Sequence, residues 1–287
     1  MVNTQKSIKE TLQNISNLPS HPIVIDRITR LLANPRTSAE EIGKAITADQ
    51  ALAAKVLKLV NSAFYGFPGR ISTLSHAIVI LGFSTIKNIV LTASILDSFR
   101  SKGKATEGFN LEHFWMHSIA CGAAAQSIAR TIGSNEKEEC FIAGLIHDIG
   151  KIILCHYLPE DFEDLIAHTR RKDQLFYESE KELFDISHDE IGGLLAERWN
   201  LPKTLQNAVR YHHQPSPVHE HYMVSVIVHT ADIFVRALDC GNGGDNKIPV
   251  ISEQAWKSLD LENASLISYF DAIQEEIDKA AVFFQLS

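Results

Sequence analysis

Apolar residues recur at three- and four-residue intervals along almost all of this 287-residue chain, and strict two-residue alternation is nearly absent. Such spacing gathers apolar side chains on one stripe of a helix and leaves no half-buried strand from which to build a sheet, so the chain is predicted to be all-α. Capping signals agree. Ser38 with Glu41 fits a capping box, as do Thr47 with Gln50 and Ser187 with Glu190, the last making His188 the first residue of its helix. Leu52, Val56, Leu59 and Val60 form one apolar stripe, the Phe64–Gly69 segment FYGFPG reads as a turn, and Gly82 separates two further apolar stretches.

The length suffices to bury a large core. A net charge of −8 argues against a nucleic-acid binder that relies on a basic surface. The N-terminus is polar with no signal-peptide pattern, and the apolar run Ile86–Leu96 is too short to cross a bilayer. Cys121, Cys140, Cys155 and Cys240 are widely spaced without a CxxC pair, which predicts reduced thiols in a cytoplasmic protein. Polar breaks fall at Ser101–Asn110 and Cys240–Pro249. Residues 1–100 read as an apolar helical packing module without chemistry of their own.

Histidine is the unusual entry: there are 13, most in the second half. His147 and Asp148 stand together inside the apolar run GLIHDIGK, and on a continuous helix Lys151 would share their face. An ionised carboxylate is rarely buried without a partner, while imidazole with carboxylate is a donor set for first-row metals. A partly exposed surface pair is the other reading of the dipeptide. Helical phasing puts His117 on the buried stripe of Phe114, Cys121, Ala125 and Ile128, and Asp232 on that of Val224, Ile227, Val228, Ala231 and Val235. A cation would satisfy Asp232 there, as would a buried His or a helix N-terminus. His212 and His213 close a helix before Gln214-Pro215, where they either serve the helix dipole as a surface cation site or join a metal. His229 falls off the Asp232 stripe; His156, His168, His219 and His221 have polar surroundings; His21 and His76 read as packing or surface residues.

The order His117, His147-Asp148, His188, His212-His213, Asp232 resembles the HD superfamily of metal-dependent phosphohydrolases. Further matches are Leu18-Pro19-Ser20-His21-Pro22, Asn61-Ser62-Ala63-Phe64-Tyr65-Gly66, Ala77-Ile78 with Leu81-Gly82, and ERWNLP leading to HHQP. Together they resemble the HDOD family of bacterial signalling domains over roughly residues 10 to 240. Gln50 and His21 depart from the family pattern, and no Gly-Tyr-Pro segment follows the HD motif, unlike in the related cyclic di-GMP phosphodiesterases.

This resemblance implies an N-terminal helical part (1–105), an HD-type metal-binding part (106–240) and a C-terminal helical tail (241–287). It implies two divalent transition metals (Fe, Mn, Ni or Zn) bridged by Asp148, one held by His117, His147 and Asp232, the other by His188, His212 and His213. Glu180 matches a family glutamate and would be a ligand or a support. Two functions follow. One is a signalling module working through another signalling protein, with neither nucleic acid nor membrane as partner. The other is hydrolysis of a nucleotide or cyclic-nucleotide phosphoester, with Asp148 and Lys151 as catalytic residues and Lys151 neutralising phosphate charge.

Overall fold

The computed structural model describes Leu31 and residues 37–100, 106–261 and 266–286; among them there are helices, turns and loops but no strand. The described residues divide into two compact units, one of residues 106–261 and 266–277, the other of residues 31, 37–100 and 278–286. Leu18–Pro22, His21 included, lies outside the described residues.

The second of these units contains α1 (Ala39–Thr47), α2 (Gln50–Val60), α3 (Leu74–Arg100) and the 3-10 turn Ala281–Leu286. Ser38 and Glu41 form the expected capping box at α1. The expected Thr47/Gln50 box is absent: Asp49 caps α2 by accepting from the Leu52 N–H at 3.0 Å, while the Thr47 hydroxyl turns back to the Gly43 carbonyl. A carboxylate one residue from the first helical N–H groups outcompetes a more distant hydroxyl. Asn61 then secures the turn, exchanging side-chain bonds with both backbone groups of Ile71 at 2.8 Å. Gly82 breaks α3 with φ 84°, a conformation that costs glycine little. Ile42, Ile46, Val56, Leu59 and Ile89 fill the core, and the buried polar residues described here, Thr85, Thr92 and Ser94, are not ionisable.

The larger unit carries α4 (Leu111–Thr131), α5 (Lys137–Ile146), α6 (Ile149–Tyr157), α7 (Pro159–Lys172), α8 (Phe176–Phe184), α9 (His188–Arg198), α10 (Lys203–Tyr211), α11 (Tyr222–Ala237) and α12 (Glu253–Leu259), followed by α13 (Leu266–Ala280), whose residues up to 277 belong to it. Helix α4 lies between α5 and α11. The approach of α5 is close: a Cβ on Gly144 would stand 2.6 Å from the Cys121 carbonyl oxygen, so only glycine fits there. Among the described residues, Leu74–Asp97 and Lys137–Tyr157 are long and apolar enough to cross a bilayer, longer than the run read from sequence. Both contain a helix break, at Gly82 and at His147-Asp148, and the second is 89% buried within its unit. That burial is what a core element of a helical domain requires.

Candidate metal centre

His147 and Asp148 occupy the junction between two helices, not the middle of one. His147 caps α5, and Asp148 (φ −94°, ψ 7°) precedes α6. The continuous helical face expected for His147, Asp148 and Lys151 is therefore broken, although Lys151 Nζ still reaches Asp148 Oδ2 at 2.7 Å. Lys151 is fully buried against the Phe176 ring rather than forming a surface ion pair.

Seven of the residues singled out in the sequence converge. His117 comes from α4, His147 and Asp148 from the junction, His188 from the first turn of α9, His212 and His213 from the end of α10, and Asp232 from α11. His117 Nε2 is 3.0 Å from Asp232 Oδ1, which lies 3.8 Å from His147 Nε2. Asp148 stands between the histidines: its Oδ2 is 3.4 Å from His147 Nε2 and 3.8 Å from His117 Nε2, and its Oδ1 is 2.9 Å from His188 Nε2 and 3.8 Å from His212 Nε2. His188 and His213 bring their Nε2 atoms to 2.9 Å.

The imidazoles are aimed by bonds on their far sides. His147 Nδ1 lies 2.6 Å from the Gly144 carbonyl, and His212 Nδ1 2.7 Å from the Val209 carbonyl. A carbonyl only accepts, so each Nδ1 carries the proton and each Nε2 points a lone pair inward. Glu180 orients His188, accepting from Nδ1 at 2.6 Å and from the His188 N–H at 3.0 Å. This is the support expected behind metal-bound histidines. His147 Nε2 and His212 Nε2 are buried without a hydrogen-bond partner. Leaving both unsatisfied would cost several kcal/mol, and a divalent cation is the group whose chemistry these nitrogen donors and the neighbouring carboxylates fit.

Charge argues the same way. The buried carboxyl groups of Asp148, Glu180, Asp232 and Asp245 outnumber the buried cations Lys151, Arg236 and protonated His188. Burial opposes ionisation of Asp148, but His147, Lys151 and His188 outweigh it and hold its carboxyl well below the usual range. For Asp232, Arg236 and then His117 overcome burial in the same direction. Burial pushes His147 down to about 4 and keeps His212 and His213 neutral. His188 is driven the other way, to about 9: burial lowers it, but Glu180 and Asp148 together raise it by more. Burial and the neighbouring carboxylates push the Cys121 thiol well up.

Several participants were not evident from sequence. Arg236 bonds Asp232 Oδ1 at 2.9 Å and Asp245 Oδ1 at 3.0 Å, and only its i+4 spacing from Asp232 hinted at it. His229, off the predicted stripe, is nonetheless buried, its Nδ1 donating to the His212 carbonyl at 2.7 Å and its Nε2 accepting from the Ser252 N–H. Tyr177 stacks on His213 with centroids 4.6 Å apart. The predicted loop Cys240–Pro249 lies over the centre. A Cβ on Gly243 would stand 3.2 Å from Asp148 Oδ2, and one on Gly241 would stand 2.3 Å from the His117 backbone nitrogen. By contrast His168 pairs with Glu182 and His219 stacks on Tyr211, away from the cluster.

The sequence profile of the HDOD domain matches residues 18–215. An uncharacterized protein of Treponema pallidum (strain Nichols) is 27% identical over 242 residues, 82% of this chain and 45% of that protein, so the chain spans less than half the length of this curated relative. An HDOD domain protein from Geobacter sulfurreducens, titled as of unknown function, superposes with a TM-score of 0.79 at 25% identity, covering 100% of this chain and 99% of the other. A candidate phosphohydrolase from Shewanella amazonensis SB2B has the same fold, with a TM-score of 0.73 at 22% identity over 96% and 97% of the two chains.

Proposed function

The chain belongs to the HDOD family, and we propose that it is a cytoplasmic signal-transduction protein in which two divalent transition metals, bridged by Asp148, act as a closed structural element. His117, His147 and Asp232 would hold one ion, and His188, His212 and His213 the other. The regulatory partner would be another signalling protein.

One observation carries the choice of a regulatory over a catalytic role: enclosure. His147, Asp148, Lys151 and His188 are 0% exposed, and His117, His212 and Asp232 reach at most 3%, while His213, stacked on Tyr177, is partly exposed. The Cys240–Pro249 loop covers Asp148 itself. A phosphoester must contact the metal to be polarised by it, and catalytic sites keep a ligand position open. The opposing reading, hydrolysis of a nucleotide phosphoester, draws support from Lys151 Nζ beside Asp148, a cation suited to a phosphoryl oxygen. That ammonium is committed to Asp148 and enclosed with it.

Turnover separates the two. With Mn or Fe supplied, a panel of phosphodiesters and nucleotides is expected to be hydrolysed no faster by the wild type than by Asp148→Ala, and affinity capture from the native host is expected to return a kinase, receptor or cyclase-type regulator. Robust wild-type turnover that disappears in Asp148→Ala overturns the regulatory assignment in favour of the hydrolase.

A further inference from the structure

Cys121 lies on α4, one turn after His117, with its sulfur facing the centre. It is fully buried, and Sγ is 3.5 Å from His117 Nε2. Donor atoms of His117, Cys121, His147 and Asp232 all fall within 4.8 Å of one another. We infer that Cys121 is a further protein ligand to the metal held by His117, His147 and Asp232, alongside the bridging Asp148, an inference that rests on the metal-binding reading above.

Spacing supports it. Two bonds of ordinary zinc–nitrogen and zinc–sulfur length at a tetrahedral angle set their donor atoms about 3.5 Å apart, as found for His117 and Cys121. The contacts of Asp232 Oδ1, at 3.0 and 3.8 Å from His117 and His147, bracket the corresponding nitrogen–oxygen value of about 3.4 Å. A thiol–imidazole contact alone would account for Cys121. Yet His147 Nε2, buried without a hydrogen-bond partner and within 4.8 Å of the sulfur, puts the cation of the metal reading within reach of both. On coordination the S–H bond is lost and its proton passes to solvent as the sulfur–metal bond forms, with no change of oxidation state. A thiolate among imidazole and carboxylate donors favours Zn or Fe over Mn, and protein donors at every position describe a closed structural site.

The test loads the full-length protein with cobalt(II) and reads sulfur coordination directly. A near-ultraviolet thiolate-to-cobalt charge-transfer band and a sulfur scatterer in X-ray absorption are expected, both lost in Cys121→Ser. If that variant does not fold, the combined Cys140→Ala, Cys155→Ala and Cys240→Ala protein keeps the sulfur signal should Cys121 be its source. Cobalt bound without a sulfur scatterer, a band that persists in Cys121→Ser, or its loss in the triple variant overturns the inference while leaving the metal centre standing. Failure of the wild type to bind cobalt removes the metal reading itself.

Discussion

Gly150 stands in the first turn of α6, two residues after Asp148, where that helix meets the start of α9. A Cβ there would stand 2.0 Å from the His188 carbonyl oxygen and 2.8 Å from its carbon. Both obstacles are backbone, so neither can rotate away, and Gly150→Ala must separate the two segments by about 1.4 Å to restore ordinary contact. Overpacking of this kind costs roughly 2–3 kcal/mol, and for a unit of this size each kcal/mol lowers the melting temperature by about 2–4 °C. The expected loss is therefore roughly 4–12 °C. The same separation pulls His188 from Asp148, whose 2.9 Å contact spans this junction, so metal affinity should fall with stability. Gly133→Ala is the control: Gly133 has φ 72° with nothing within 4 Å of an added Cβ, so its cost is about 1 kcal/mol of backbone strain with metal binding unaffected. Circular-dichroism melts with and without added metal read both quantities. A Gly150→Ala protein that melts with the wild type and binds metal equally well would refute this account of the junction.

Arg236→Leu should destabilise by about 3–5 kcal/mol in denaturant titrations, because Asp232 and Asp245 would each lose a buried partner; a change under about 1 kcal/mol would show that Arg236 is dispensable. In metal-free protein, stability should fall as pH drops from about 6.5 towards 4: the unfolded chain takes up protons that His147, held at about 4, and the likewise depressed His212, His213 and His229 refuse in the native state. His188 works oppositely, its contribution present below about 6.5 and lost as pH rises through about 9, so urea midpoints should decline on both flanks; a flat profile contradicts these environments. Under native conditions a thiol reagent should modify the partly exposed Cys240 before the buried Cys121, Cys140 and Cys155, as mass spectrometry would reveal, and equal rates would be inconsistent with this packing.

Much of the site was legible because burial of a polar residue leaves a mark on helical periodicity. His117 and Asp232 sit on apolar stripes, and the Ser187/Glu190 box fixes His188 at the head of its helix, where the structure puts it. Periodicity could not show that α5 and α6 break at His147-Asp148, since both halves keep a helical pattern and the break consists of backbone angles at one residue. Nor could it reveal His229, whose burial comes from the α10 terminus and Ser252 rather than its own helix. The Cys240–Pro249 loop read as a separator by its glycines; those glycines instead let the backbone lie against His117 and Asp148, a tertiary fact with no local signature.

The central claim is a divalent metal at these residues, and its most direct test is metal content per chain of protein purified without chelator, with Fe or Mn supplied during growth. Bound transition metal approaching two ions per chain in the wild type, lost in a folded Asp148→Ala variant, is the predicted result. A wild-type chain free of transition metal, or an Asp148→Ala protein that retains the full complement, would contradict it.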